Sequence, residues 1–227
     1  MDSMKINITK VYPCIYHVNF ETQYDLCMSF MRIQEFYENP KFRGKYFTVE
    51  QFMDYWVKEC SVSSSLFDYT NIWNGFNVPG KILRRWDRKF ASKEGLTARR
   101  ERERILCNAI YKVTKKDKVD WDDIYIIGTW GKNKTVIAHE LAHAFYALDK
   151  DYKKDCDRLL KKIDKNKIEK VKKSLLASEY NERVLNDEMQ AYFSSSSSVS
   201  SIMRPEFKAN LERYENKWKN KTLFGII

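Results

Sequence analysis

Hydrophobic positions along this chain recur mostly at helical spacing. Across 20–39, Leu26, Phe30, Ile33, Phe36 and Tyr37 predict an amphipathic helix that Asn39-Pro40 ends. Thr48-Val-Glu-Gln51 has the form of a capping box, so a second helix is expected through 52–57. Residues 61–80 mix turn residues with aromatics, as in Trp73-Asn-Gly-Phe-Asn-Val-Pro79-Gly80, and predict a loop. Helical patterns return over 81–91 and 97–113. The period then changes: Asp123-Ile-Tyr-Ile-Ile-Gly128 is a β-branched and aromatic run closed by glycine, which predicts a strand. Asn133 or Thr135 can cap the apolar run 136–148, a predicted helix. Lysine-rich 155–177 predicts one or two surface helices, and 181–193 another. A serine-rich linker over 194–201 and a charged helical tail over 205–219 follow. The expected fold class is α+β, predominantly helical with a small sheet. Its parts are a mainly helical region 1–120, a core 121–193, and a linker with tail 194–227, as separate parts or one domain.

The core helix carries His139-Glu140-Leu141-Ala142-His143, an H-E-x-x-H pentad. Residues four apart on a helix lie one above the other, so both imidazoles can grip one zinc ion from the same face. Glu140 sits about a hundred degrees round from His139, where a carboxylate can reach an activated water without being a ligand. With three histidines in 227 residues, two of them flanking a glutamate at this spacing is a chance event of roughly a few in a thousand.

A catalytic zinc takes three protein ligands and leaves a position for water. His17 is the remaining histidine and lies more than a hundred residues upstream of the pentad, so a carboxylate or a cysteine is the better third ligand. Glu188 shares a helical face with Val184, Leu185, Ala191 and Tyr192. A lone carboxylate on an apolar face needs a cation, because removing its charge from water costs several kcal/mol. The alternative partner is a lysine or arginine. Asp187 is the competing ligand, or an acceptor for the second ring nitrogen of a ligating histidine.

The pentad, followed 45 positions after His143 by Glu188 in Glu-x-x-Ala-Tyr-Phe, resembles the zincin metallopeptidases of the gluzincin branch. The helix pair is most similar to that of the anthrax lethal factor type of catalytic domain. The resemblance spans 121–193 and implies a zincin-like metal-binding core: zinc on His139, His143 and Glu188, Glu140 as general base, and a peptide or protein substrate. It also implies a tyrosine, placed before the ligand glutamate, whose hydroxyl stabilises the oxyanion. Tyr180 is the candidate, with Tyr146 and Tyr192 as alternative hydroxyls. In that family a strand leading to the metal helix holds an extended peptide at a sheet edge.

Composition and charge widen the choice of partners. Apolar residues make up 43% and charged residues 32%, with seven glycines and four prolines, which excludes a disordered chain and favours a helix-rich protein. Five scattered cysteines without a C-x-x-C pair point to neither a disulfide framework nor a zinc knuckle. No signal-like core opens the sequence and no stretch reaches the roughly 18 apolar residues of a membrane span, so an intracellular location with no membrane partner is expected. A net charge of +10, with basic clusters at 84–89, 99–104 and 161–173, admits an acidic partner or nucleic acid. Most of these runs interleave acids at helical spacing, as solvated faces do. The alternatives to a peptidase are therefore a basic nucleic-acid-associated protein and a catalytically silent zinc-binding interaction module.

Overall fold

A computed structural model describes residues 4–61, 66–94, 98–178, 180–195 and 204–223. Helices predominate over a four-stranded mixed sheet, an α+β chain. It divides into two units, Met1–Lys10 with Tyr16–Lys132, and Val11–Ile15 with Asn133–Ile227. None of the described helices is long and apolar enough to cross a membrane.

The first unit contains β2 (Ile15–Phe20, from Tyr16), α1 (Gln23–Tyr37), α2 (Val49–Glu59), α3 (Tyr69–Ile72), β3 (Gly75–Pro79), α4 (Gly80–Ala91), α5 (Glu101–Asp117) and β4 (Tyr125–Trp130), together with most of β1 (Ile6–Tyr12). The sheet order is β1-β2-β4-β3, and β3 runs antiparallel to β4 with Asn77 opposite Ile127. Helix α1 packs on β3, β4, α4 and α5, so Phe30 and Ile33 meet Phe76, Trp86 and Leu106 in one core. One helix start follows the local chemistry the sequence predicts, and the cap of another emerges only in the structure. Thr48 and Gln51 exchange both bonds of a capping box, and Thr22 caps α1 by accepting from Asp25 N.

Three expectations change here. Residues 61–80 are not all loop, since 69–72 form a helical turn and 75–79 a strand. Phe76 and Val78 are buried on alternate positions of that strand, a period of two hidden by its glycine, asparagine and proline. The mainly helical region 1–120 opens on two strands, β1 and β2, because Tyr16, Val18 and Phe20 point into the core at strand spacing. Finally, β4 starts at Tyr125 and is an interior strand between β2 and β3, so its backbone groups are taken on both sides. It offers no edge to an extended peptide, and it belongs with the N-terminal unit rather than with the pentad helix. The helix expected from 97 begins at Glu101, and Thr97 lies outside the described residues.

Gly80 opens α4 where its N–H donates to Ile124 O at 2.8 Å. A Cβ there would stand 2.0 Å from Trp121 O and 2.5 Å from Ile124 Cγ1. Backbone atoms cannot step aside as a flexible side chain can, so Gly80→Ala should destabilise by about 2–3 kcal/mol, the upper part of the overpacking range. Thermal unfolding should show a fall in Tm of roughly 5–10 °C. An unchanged Tm would mean that the α4 start does not hold this close approach.

The second unit is helical: α6 (Lys134–Leu148), α7 (Lys150–Lys161), α8 (Lys165–Ala177), a 3₁₀ turn (Glu182–Val184), α9 (Leu185–Ser195) and α10 (Pro205–Leu223). Asn133 caps α6 by accepting from Thr135 N and Val136 N. Asp149 ends α6 and caps α7, and it also accepts from Trp218 Nε1 at 3.0 Å and Lys217 Nζ at 3.0 Å. The charged tail thus packs as α10 on α7 and α9, with Phe207 against Phe193 and Tyr214 against Tyr152. Ser194 and Ser195, expected in a linker, are the last turn of α9. Residues 196–201 of that serine run lie outside the described residues.

Candidate metal centre

Helices α6 and α9 pack face to face, and each supplies ligand atoms at helical spacing. On α6 the four-residue repeat puts His139 over His143 with ring centroids 4.8 Å apart, and their Nε2 atoms are separated by 3.2 Å. From α9, Glu188 Oε2 stands 3.8 Å from His139 Nε2 and 3.7 Å from His143 Nε2. These three residues form the one group of three or more metal-ligating side chains found among the described residues. His143 and Glu188 are buried, at 2% and 6% exposure, and so is Glu140 at 5%.

Two imidazole nitrogens and a carboxylate oxygen this close could hold a metal ion between them. The three separations define a triangle whose centre is about 2.1 Å from each atom, matching metal distances of about 2.0–2.2 Å for histidine nitrogen and carboxylate oxygen. The donor set fits a divalent ion of zinc type. Nitrogen–oxygen sites of this kind also accept other transition metals, so the geometry alone does not select zinc.

The second ring nitrogens are held from behind. Asp187 Oδ1 lies 2.9 Å from His143 Nδ1, and Gln190 Nε2 donates to the same carboxylate oxygen at 3.0 Å. Gln190 is fully buried and accepts from Tyr152 OH at 2.9 Å, which ties Asp187 to α7. On the other imidazole, the Ala191 carbonyl accepts from the His139 ring and Ser195 Oγ lies 3.3 Å from Nδ1. Both rings are thereby turned with Nε2 inward, the arrangement that orients ligating histidines. Burial, and then the neighbouring His143, hold the His139 pKa well below the usual range. Burial alone would lower His143 too, but Asp187 and Glu188 outweigh it and raise that pKa well above the usual range.

The sequence-derived candidates divide as follows. His139, His143 and Glu188 converge, with Glu140 on the same helix turn. Asp187 stands outside the converging group, with its carboxylate at His143 Nδ1. Tyr180, between α8 and the 3₁₀ turn, places its hydroxyl 2.9 Å from that of Tyr192, whose ring packs on His139 at 4.6 Å. Tyr146 instead donates to Asp157 at 2.6 Å. His17 is in the first unit, with Nε2 2.7 Å from Thr129 Oγ1. Ser195 was missed because its serine run predicts a linker. It stands seven residues after Glu188, on the same face, and that spacing is the signal that finds it. No family model, curated protein or solved structure matches the chain.

Proposed function

We propose that this chain is a zinc-dependent metallopeptidase with a zincin-like core of the gluzincin type, hydrolysing peptide bonds in a peptide or protein substrate. The convergence of His139 Nε2, His143 Nε2 and Glu188 Oε2 around a point about 2.1 Å from each carries the proposal. The H-E-x-x-H pentad adds the one residue that a purely structural site does not need, Glu140.

Zinc held by these three residues would act as a Lewis acid, making water a nucleophile near neutral pH and polarising a carbonyl. The protein's own groups then move the protons. Glu140 takes the proton of the attacking water on its carboxylate and returns it to the leaving nitrogen, the work of one group as base and then acid. The Tyr180 hydroxyl donates to the oxygen that gains charge as the carbonyl is attacked. Asp187, Ala191 O and Ser195 keep the two imidazoles from turning, so the ligand atoms need no reorganisation when metal enters.

Elemental analysis of purified protein tests the centre. One zinc per chain is expected for the wild type, none for Glu188→Ala, and one for Asp187→Ala with affinity weakened roughly 10–100-fold, the usual cost of removing an orienting partner. Wild-type protein that takes no metal even when zinc is supplied would sink the proposal and return the basic surface to the front. Zinc bound without any peptide hydrolysis would favour the silent binding module.

A further inference from the structure

We propose that Tyr192 is a positioning residue of this centre, its phenol holding the Tyr180 hydroxyl in register with the metal-binding cluster; the proposal rests on the metallopeptidase assignment. Glu188, Tyr192 and Ser195 are spaced by four and three residues along α9, so one stripe of that helix presents the ligand, the phenol and the hydroxyl beside His139 Nδ1. The Tyr192 ring lies against the His139 imidazole, with centroids 4.6 Å apart and planes inclined by 58°. Its hydroxyl is 2.9 Å from that of Tyr180, and the two rings stand at 90° with centroids 6.4 Å apart.

The two phenols differ in how they are anchored. Tyr192 projects from the middle of a helix packed on α6, α7, α8 and α10, which fixes its backbone and limits its rotamers. Tyr180 sits on the connection between α8 and the 3₁₀ turn, with its N–H donating to Leu175 O at 3.2 Å. Groups on connecting segments hold a catalytic position less well than groups on helices, so the hydroxyl of Tyr180 gains its register from the bond to Tyr192.

The test uses the full zinc-loaded chain and a quenched-fluorescence peptide library. Tyr192→Phe keeps the ring on His139 and should bind one zinc as before, with kcat lowered roughly tenfold and KM changed by less than about twofold. Tyr180→Phe should lower kcat by roughly a hundredfold, as for loss of an oxyanion donor. Tyr180→Phe/Tyr192→Phe should be no worse than Tyr180→Phe, since one residue acts through the other. Independently of turnover, the ¹³Cζ resonance of Tyr180 in tyrosine-labelled protein should move in Tyr192→Phe, with and without zinc. Wild-type kcat in Tyr192→Phe, an unmoved Tyr180 resonance, or a double variant whose loss is the product of the two single losses would each overturn the proposal. A wild-type chain that binds zinc but cleaves nothing would overturn the peptidase assignment instead, and the resonance would still decide the hydroxyl bond.

Discussion

Glu140→Gln is expected to reduce peptide hydrolysis by roughly 10²–10⁴-fold, the usual contribution of a positioned general base, while zinc content stays at one per chain. The substitution keeps volume and an acceptor oxygen but removes the group able to carry a proton through the reaction. Because Glu140 is not one of the three converging ligands, the centre should load normally. The side chain is buried at 5% exposure, so the variant also needs a stability control. Thermal unfolding within a few degrees of wild type, with turnover lost, would place the defect in chemistry. Undiminished cleavage in Glu140→Gln would remove this residue from the mechanism.

The convergence of His139, His143 and Glu188 was more legible in the sequence than the architecture around it. Helical spacing is a local property, so His139 and His143 were bound to share a face once α6 formed, and Glu188 was marked by being a carboxylate on an apolar stripe. Pairing between strands is not local. Nothing in Gly75-Phe-Asn-Val-Pro79 announces that it will lie beside 125–129, and its turn-forming residues argue for a loop. The register is set by Phe76 and Val78 entering a core that α1 and α4 also build. The same limit explains Asp187. Its neighbourhood to Glu188 left two roles open, and only the packing of α9 on α6 turns its carboxylate toward His143 Nδ1 at 2.9 Å. Tyr180 and Tyr192, twelve residues apart with a 3₁₀ turn between, likewise meet only in three dimensions.

In the first unit the largest stability effect is expected from the ion pair between Arg32 and Glu103, which are 0% and 1% exposed. Arg32 Nε donates to Glu103 Oε1 at 2.7 Å while Nη2 donates to Oε2, a bidentate pair joining α1 to α5. The guanidinium also donates to Phe47 O at 3.1 Å and Ala98 O at 2.8 Å, and lies 4.9 Å from the Phe90 ring centroid. Glu103 in turn accepts from Arg100 N at 2.7 Å, completing the cap of α5. Removing one partner leaves a buried charge without its counterion, so Arg32→Met and Glu103→Gln should each cost about 3–5 kcal/mol. The double variant Arg32→Met/Glu103→Met should cost less than the sum of Arg32→Met and Glu103→Met, because neither charge is then stranded. It should not return to wild type, since Phe47 O, Ala98 O and Arg100 N still lose partners, each worth about 1 kcal/mol net. A double-mutant cycle by urea unfolding measures this. Additive losses in the cycle, or a Glu103→Gln cost below about 1 kcal/mol, would show that the pair is not the tie between these two helices.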